Sequence, residues 1–353
     1  MRAVHLSSPK SLELVDKPEP GDPDAGEVLI QVKAVGICGS DLHMYATGAI
    51  GYTKIEAPFT LGHEFMGEVV AVGEKAQSGL HGSLTIGQRV AVEPAVPCLQ
   101  CELCEAGHPN LCPSHEFYGV YPTHGALCER LIVPARNCFP IPDEISDGGG
   151  TLLETLGVAI HALDLAKLKV AKTVAVIGCG PVGLLIQRLA VLSGAGEVYA
   201  MDPLAWRAEQ AKAWGVTEAW PVRSDEALGK LKEATQGRGV DVVFEAAWAD
   251  ESIDHAMEMA AYGGRVVLVG IPPDDKAGFT HSMARRKGLT LMMARRMKHT
   301  YPRAIRLASG TEPAVPLDDL ISETFPLTQT AEAFAKNYAY QTGVQKLIVS
   351  TSE

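Results

Sequence analysis

The pattern of apolar and polar positions divides the chain into regions of different texture. Residues 1 to about 150 contain short apolar runs separated by Gly and Pro, among them Val28–Val32, Val69–Val72 and Val90–Val92. Apolar runs of this length, bounded by turn residues, are typical of β-strands. The first region is therefore predicted to be an irregular, mostly β domain.

Apolar strands alternate with amphipathic helices from about Lys172 onward. This alternation indicates a parallel sheet covered by helices on both faces, the doubly wound α/β fold. The predicted strands are Thr173–Ile177, Glu197–Met201, Ala219–Val222, Val240–Phe244, Arg265–Val269 and Thr290–Met293. The predicted helices are Pro181–Ser193, Leu204–Trp214, Glu226–Thr235 and Ser252–Ala261. After them come a predicted helix at Thr330–Asn337 and a predicted strand at Lys346–Ser350, in a tail that we expect to rejoin the first region.

Composition and charge narrow the class of protein. The chain has 353 residues, of which 46% are hydrophobic and 21% charged, as in ordinary globular proteins of about two domains. Its formal net charge of −11 disfavours nucleic-acid partners and anionic membranes, because both require a basic surface. The sequence shows neither a signal peptide nor an apolar run long enough to span a membrane, so we expect a cytoplasmic protein.

A glycine motif stands between the first strand of the α/β region and the helix after it. Residues 178–183 read Gly-Cys-Gly-Pro-Val-Gly, the G-x-G-x-x-G spacing of dinucleotide-binding turns. Gly178 permits the tight turn, Gly180 lets a pyrophosphate approach the backbone, and Gly183 lets the helix lie close to the sheet. The phosphates would face the positive N-terminus of that helix. The predicted contacts with a dinucleotide in this turn are Gly178, Gly180, Pro181, Val182 and Gly183.

Asp202 follows Gly178 by 24 residues, at the end of the second predicted strand of the α/β region. A carboxylate at this position accepts hydrogen bonds from the ribose hydroxyls of NAD and repels the 2′-phosphate of NADP. Arg207 is a competing signal, because a nearby Arg can accommodate that phosphate. Since Arg207 lies one turn into the next helix, we interpret it as packing beside the adenosine. Val269 and Ile271 are further predicted contacts. NAD is the predicted cofactor.

Four cysteines lie within fifteen residues, in the order Cys98, Cys101, Cys104 and Cys112. Four thiolates at this spacing satisfy a tetrahedral zinc ion without leaving an open position. Eight cysteines in a long chain without a secretion signal also favour metal ligands over disulfides. The sequence therefore predicts a structural zinc site in a lobe at about residues 95–113.

A second set of metal-binding residue types is spread more widely. Cys38 and His63 supply sulfur and nitrogen, and either Glu64 or Glu154 supplies a carboxylate; spacing does not separate the two. Three such ligands leave the fourth zinc position open for a water or a substrate hydroxyl, as in catalytic sites. The sequence therefore predicts a second zinc ion, with a catalytic role.

These motifs make the chain resemble the zinc-dependent medium-chain dehydrogenases over essentially its whole length. Within that superfamily it is most similar to the sorbitol/xylitol (polyol) dehydrogenase branch. The residues that carry the resemblance are Cys38-Gly39-Ser40-Asp41-Leu42-His43, the Gly48–Gly51 turn, Leu61-Gly62-His63-Glu64, and Leu152-Leu153-Glu154 with Gly157 and His161. The chain departs from the pattern at Thr155, where Pro is common.

The resemblance implies a GroES-like, mostly β catalytic domain at residues 1–152, a Rossmann domain at 153–294 and a return to the catalytic domain at 295–353. A homotetramer or dimer is expected. The resemblance also implies catalytic zinc held by Cys38, His63 and Glu64, with Glu154 binding a water or acting as an alternate ligand. The implied reaction oxidises a secondary hydroxyl of a polyol or sugar to a ketone. The implied proton path runs through Ser40 to His43, or through a zinc-bound water near Glu154, and Arg296 is an implied donor to polyol hydroxyls.

Two other functions remain open from the sequence. The similar L-threonine 3-dehydrogenases oxidise an amino alcohol with the same zinc motifs and the same Ser/His pair. A non-catalytic, zinc-stabilised nucleotide-binding protein belongs to a different class, and the Cys38, His63 and Glu64 set argues against it. The zinc content of the protein distinguishes these classes, since an enzyme would hold two ions per chain and a binding protein one.

Overall fold

The computed structural model describes residues 1–56, 58–247, 251–272, 276 and 278–351. The chain folds into two compact units, one formed by Met1–Thr155 with Lys298–Glu353 and the other by Leu156–Met297. The first unit is mostly β and the second alternates strands with helices, which confirms the predicted fold class. Each unit buries an apolar core of its own. In the described part of the chain, no helix is both long enough and apolar enough to cross a bilayer.

The elements of the first unit are short. Its strands are β1 (Arg2–Ser8), β2 (Ser11–Asp16), β3 (Glu27–Gly36), β4 (Ala49–Ile50), β5 (Thr53–Lys54), β6 (Glu64–Val72), β7 (Arg89–Val92), β8 (Ala95–Val96), β9 (Glu116–Phe117), β10 (Arg130–Pro134), β11 (Cys138–Pro140), and, later in the chain, β18 (Ile321–Pro326) and β19 (Lys346–Ser350). Its helices are α1 (Gly39–Thr47), α2 (Glu102–Glu105), α9 (Tyr301–Ala308) and α10 (Thr330–Tyr338). Helix α3 (Asp147–Ala166) contains the boundary between the units.

Strand β3 is central to the main sheet of the first unit. The strand order is β11-β7-β6-β3-β19-β18, and β10 also pairs with β3. Alternate residues of β3, including Val28, Ile30 and Val32, are fully buried, so one face of the strand packs into the core. The antiparallel register sets Gly36, the last residue of β3, opposite Glu64 of β6 and also opposite Ile348 of β19. Strands β6 and β19, which are remote in sequence, therefore flank the end of β3 on its two sides.

The second unit has strands β12 (Thr173–Ile177), β13 (Glu197–Met201), β14 (Glu218–Trp220), β15 (Val240–Glu245), β16 (Ala260–Leu268) and β17 (Thr290–Met293). Its helices are α4 (Pro181–Leu192), α5 (Ala205–Ala213), α6 (Ser224–Ala234), α7 (Ser252–Met259) and α8 (His281–Lys287). All pairings in this sheet are parallel, in the order β14-β13-β12-β15-β16-β17. This is the Rossmann strand order, in which a ligand binds at the carboxyl ends of the strands where the order reverses.

One predicted helix of the second unit ends two residues earlier in the structure, because a strand begins there. The helix predicted at Ser252–Ala261 ends at Met259, and Ala260 begins strand β16. Alanine favours helix, but pairing of Ala260 with Val240 on β15 overrides this local preference. The other predicted helices of the α/β region agree with the structure to within two residues at each end.

Candidate catalytic centre and dinucleotide site

The first candidate metal site is formed by Cys38, His63 and Glu64. Cys38 immediately precedes helix α1, His63 immediately precedes β6, and Glu64 is the first residue of that strand. One ligand atom from each residue lies within 4.8 Å of the other two. His63 and Glu64 are buried and Cys38 is half-buried. A thiol, an imidazole and a carboxylate form a donor set that suits zinc, so the residues present fit the predicted ion.

Asp41 connects the backbone segments that present two of these residues. This fully buried carboxylate accepts hydrogen bonds from the backbone N–H of Cys38 (3.0 Å) and of Gly62 (3.3 Å). Its Oδ1 also lies 3.3 Å from His63 Nδ1. A carboxylate beside one imidazole nitrogen fixes the ring and leaves the other nitrogen to bind a metal. Sequence analysis gave Asp41 no role, although its position three residues after Cys38 matches a helix capping box.

The charge on His63 depends on these neighbours. Burial lowers the pKa of His63, but the Asp41 carboxylate and the Cys38 sulfur raise it by more, so the pKa lies well above its usual value. A bound dication reverses this preference, because it favours a neutral imidazole and a thiolate. The metal-free site therefore has to release protons as the metal binds.

Glu64 is held by two residues that sequence analysis did not connect with it. The Lys346 Nζ atom donates to both carboxylate oxygens, at 2.8 and 2.6 Å, and also to the Ile37 carbonyl. The Thr155 hydroxyl donates to Glu64 Oε1 at 3.0 Å. This contact gives a physical account of Thr155, because the Pro that is common at this position has no hydroxyl. Gly36 is necessary here, since a Cβ on it would lie 2.5 Å from Glu64 Oε2.

Ser40 and His43 lie on helix α1, three residues apart, and therefore share a face of the helix. The Ser40 hydroxyl lies 3.3 Å from His63 Nε2, the ring nitrogen that Asp41 does not face. His43 is half-buried, and burial lowers its pKa. The structure therefore places the Ser40 hydroxyl beside the candidate metal site and keeps the His43 imidazole in its neutral, proton-accepting form near pH 7.

Glu154, the other candidate carboxylate, lies on helix α3. It is 5% exposed and directly precedes Thr155, whose hydroxyl contacts Glu64. Among the residues that the structure describes, the cluster of candidate ligand atoms contains Cys38, His63 and Glu64 but not Glu154. The geometry therefore favours Glu64 as the carboxylate of this site.

The second candidate metal site is the four-cysteine lobe. The four sulfur atoms lie within 4.8 Å of one another, with Cys112 Sγ 3.5 Å from Cys98 Sγ and 3.9 Å from Cys101 Sγ. Sulfurs bound to one tetrahedral zinc at ~2.3 Å are ~3.8 Å apart, so the lobe has the dimensions of a closed zinc site. Hydrogen bonds from the Gln100 backbone and from Cys112 lower the pKa of Cys98 to about 7, which favours a thiolate there.

The glycine turn of the second unit lies between β12 and α4. Gly178 has φ +99°, a conformation that favours glycine. A Cβ on Gly183 would lie 2.1 Å from the Gly178 carbonyl oxygen, so this glycine permits the close approach of helix and turn. A Cβ on Gly180 would meet no atom closer than 4.0 Å, so the backbone here is open to a phosphate. Pro181 and Val182 begin α4; Pro181 has no N–H, and the remaining backbone N–H groups of the first turn have no partner within the helix.

Asp202 follows β13 at the same edge of the sheet and is 5% exposed. Its Oδ2 accepts from the Cys179 backbone N–H and its Oδ1 from the Leu204 N–H, both at 2.9 Å. A carboxylate has about four acceptor positions, so capacity remains for ribose hydroxyls. Arg207 Nη1 lies 3.9 Å from Asp202 Oδ2, and the guanidinium stands 5.1 Å from the Trp206 ring.

Three further predicted residues lie in loops of the second unit. Val269 and Ile271 follow β16 at the edge that carries the glycine turn; Val269 is partly buried and Ile271 is exposed. Arg296 follows β17, is half-buried, and has φ +55°, a left-handed conformation that is unusual for a residue with a side chain.

Two family models match the chain. The alcohol dehydrogenase GroES-like domain matches residues 24–143, and the zinc-binding dehydrogenase domain matches residues 181–310. The chain is 35% identical to a sorbitol dehydrogenase of Bacillus subtilis over 350 residues, covering 99% of this chain and 97% of that protein. It is 34% identical to a probable D-xylulose reductase A of Aspergillus clavatus, covering 96% and 93% respectively.

A solved structure from Escherichia coli CFT073, described as a short chain alcohol dehydrogenase in complex with NADH, matches with a TM-score of 0.88. The two chains are 29% identical, and the match covers 99% of each. The fold, the two candidate metal sites and these matches define a zinc-binding dehydrogenase with a GroES-like domain and a Rossmann domain. The chain belongs to the zinc-dependent medium-chain dehydrogenase superfamily, in its polyol dehydrogenase branch.

Proposed function

We propose that the chain uses zinc and NAD to oxidise a secondary hydroxyl of a polyol or sugar to a ketone. The observation that carries this proposal is the Cys38, His63 and Glu64 cluster, with one ligand atom of each within 4.8 Å of the others. Three protein ligands leave one zinc position open, whereas a purely structural site is closed by four. The similarity to a sorbitol dehydrogenase and a xylulose reductase supports a polyhydroxylated substrate.

Two zinc ions per chain would have different roles. Cys98, Cys101, Cys104 and Cys112 would hold one ion in a closed site that stabilises the lobe. Cys38, His63 through Nε2, and Glu64 would hold the other. Asp41 supports this assignment because it occupies the side of the His63 ring at Nδ1.

When bound, zinc supplies a Lewis acid that makes a hydroxyl in the open position more acidic, and NAD supplies the hydride acceptor. Ser40 accepts the proton of the substrate hydroxyl while it gives up its own hydroxyl proton, and it lies beside the candidate metal site, with its Oγ 3.3 Å from His63 Nε2. Ser40 passes a proton to His43, which is a competent acceptor because burial lowers its pKa and keeps the ring neutral. Asp41 holds the His63 ring in place during this transfer.

NAD is proposed over NADP because of Asp202. The carboxylate is fixed by two backbone N–H groups and keeps acceptor capacity for the ribose hydroxyls. Arg207 lies beside it, and the resulting ion pair weakens the attraction of the guanidinium for a 2′-phosphate. The turn residues Gly178 and Gly180 would accommodate the pyrophosphate.

A substrate panel tests the proposal. The zinc-loaded protein is given polyols, sugars, L-threonine and monohydric secondary alcohols, and NADH formation is followed by absorbance, with zinc content measured in parallel. We expect two zinc ions per chain and a vicinal diol that exceeds a monohydric alcohol of similar size by at least about 100-fold in kcat/KM, because the monohydric alcohol leaves polar groups of the site unpaired. If L-threonine were the preferred substrate, the proposed substrate class would change from a polyol to an amino alcohol. One zinc ion and no turnover would indicate a binding protein.

A further inference from the structure

Helix α4 carries one fully buried amide side chain, that of Gln187. The other buried residues of this helix are apolar or glycine, so the amide is an exception that requires a hydrogen-bond partner. Gln187 Nε2 lies 3.3 Å from the Gly178 carbonyl oxygen and 3.3 Å from Cys179 Sγ. The buried amide thus contacts the glycine turn and not the protein surface.

The reach of Gln187 follows from helix geometry. Side chains on a helix point toward its N-terminus and lie over the residue four positions earlier, which here is Gly183. Gly183 has no Cβ, and a Cβ at that position would lie 2.1 Å from the Gly178 carbonyl oxygen. The glycine therefore brings this carbonyl close to the helix and leaves room for the amide beside it.

The Gly178–Cys179 peptide group is held from both sides. Its carbonyl accepts from Gln187, and its N–H, on Cys179, donates to Asp202 Oδ2 at 2.9 Å. A trans peptide is planar, with its C=O and N–H pointing in opposite directions, so the two hydrogen bonds fix the rotation of one rigid group. Gln187 and Asp202 are thereby linked through a single peptide unit. Asp202 has one further backbone donor, Leu204.

We propose that Gln187 is a positioning residue for NAD binding, acting through the Gly178–Cys179 peptide on the glycine turn and on the Asp202 carboxylate. This inference rests on the proposed use of NAD and adds a residue that does not itself touch the cofactor. Without the amide donor, the Gly178 carbonyl is buried and unpaired, and rotation of the peptide withdraws the N–H that orients Asp202. Both the fit of the pyrophosphate and the recognition of the ribose weaken.

The test is direct titration of the zinc-loaded, full-length protein with NADH and with NADPH, followed by cofactor fluorescence. We expect Gln187→Leu to weaken NADH binding about 3- to 10-fold, the effect of one lost hydrogen bond. NADPH binding should change less, so the dissociation constants for NADH and NADPH should become more similar. The KM for the polyol and the zinc content should stay within about two-fold of the parent values, since Gln187 contacts neither site.

Two further variants separate positioning from packing. Leu189→Ala lies on the same helix and removes buried apolar volume without touching the turn, so it should lower stability and leave the NADH dissociation constant within two-fold. Gln187→Glu can donate to the Gly178 carbonyl only when its carboxyl is protonated. Its affinity for NADH should therefore recover as the pH is lowered, relative to the parent protein at each pH. This variant also serves if Gln187→Leu does not fold.

The outcomes distinguish the inference from the proposal beneath it. A parent protein that binds NADPH more tightly than NADH would overturn the NAD assignment, and with it the role of Gln187 in ribose recognition. A parent that prefers NADH, together with unchanged affinity in Gln187→Leu, would overturn the inference alone. An equal loss of affinity in Leu189→Ala would also overturn it, because the effect would then be one of helix packing.

Discussion

The Lys346 ammonium contacts both oxygens of the Glu64 carboxylate, at 2.8 and 2.6 Å, in the interior of the first unit. The side chains are 3% and 0% exposed. Burial lowers the pKa of Lys346, but Glu64 and Cys38 raise it by more, so the amine stays protonated. In the proposed site, Lys346 and zinc would be two cations in competition for the same carboxylate, and the strength of the ion pair would set how firmly Glu64 binds the metal.

Removing one partner of this buried pair should be costly. When no metal ion is bound at Glu64, Lys346→Met leaves an uncompensated carboxylate, and we expect the free energy of unfolding to fall by about 3–5 kcal/mol. Lys346→Met combined with Glu64→Gln should recover most of this loss, since neither charge is then left unpaired. Urea denaturation of the parent, the two single variants and the double variant measures the coupling. Additive losses would show that the two side chains do not stabilise each other.

The two candidate metal sites should respond differently to substitution of a cysteine ligand. Cys38→Ser should lower kcat/KM by more than about 100-fold and keep the melting temperature nearly unchanged, because that site is open and proposed to be catalytic. Cys101→Ser should lower the melting temperature and solubility, because a closed zinc site contributes to folding. Each variant should contain one zinc ion. Cys128→Ser, at a buried cysteine outside both clusters, is the control. Two inactive variants that melt like the parent would contradict these roles.

Cofactor choice should depend on Asp202. Asp202→Ser removes the acceptor for the ribose hydroxyls and the repulsion of a 2′-phosphate, while Arg207 remains beside the site. We expect kcat/KM with NADP to improve relative to NAD by at least about 10-fold, the scale of one charge-assisted contact. Glu209→Ser removes an exposed carboxylate from the same helical region and should leave the ratio unchanged. An unaltered NAD preference in Asp202→Ser would mean that this carboxylate does not face the ribose.

Arg296 offers a test of substrate recognition. If its guanidinium donates to polyol hydroxyls, Arg296→Ala should raise the KM for a polyol by about 10-fold or more, the effect of one charged hydrogen bond. NADH affinity should change little. The matched control is Arg295→Ala, which removes an exposed neighbour of the same charge. Equal effects of both substitutions would show that Arg296 acts only through the positive charge of the surface. A 2-butanol rate as high as that of the best polyol would contradict the proposed role of Arg296.

The pH dependence of stability should show a contribution from Glu93. Burial raises the pKa of this carboxyl from 4.5 to about 7, and its backbone is fixed by Asn137. A raised folded-state pKa stabilises the protein below pH 4.5, and this stabilisation is lost as the pH rises through about 7. Between pH 4.5 and 8, Glu93→Gln should gain about 1–3 kcal/mol relative to the parent. Urea midpoints at several pH values measure the difference; the exposed Glu74→Gln should show none.

Much of the α/β unit was predictable because its elements are local. The strands predicted at Thr173–Ile177, Glu197–Met201 and Thr290–Met293 coincide with β12, β13 and β17. Helix α3 was not predicted, since the glycines at its start disfavour a helix. Tertiary packing explains why glycines stand at the start of α3. A Cβ on Gly148 would lie 2.4 Å from Ile321, and one on Gly150 would lie 3.0 Å from Met66. Close contacts between distant segments are invisible to local propensity.

In the candidate site, too, some residues have a local sequence signal and others are identified only by tertiary contacts. Cys38, His63 and Glu64 were predicted from residue types and resemblance, and the structure brings them together. Asp41 has a local sequence signal, because it stands three residues after Cys38 in the position of a helix capping box. Lys346 has no local sequence signal, because its contact with Glu64 depends on how β6 and β19 are each aligned against β3. The expected tetramer or dimer stays a prediction.

The pairing of β19 with β3 also sets an order of events during synthesis. Lys346 follows Glu64 by 282 residues, so at ~5–20 residues per second a ribosome needs about 15–55 s between the two. Throughout that interval the nascent first unit lacks both the β19 partner of residues Ala34 to Gly36 at the end of β3 and the positive charge that pairs with the buried Glu64 carboxylate. The second unit lies between these segments in the chain and can complete its own sheet first. The ion pair between Glu64 and Lys346 can therefore form only after β19 has been synthesised.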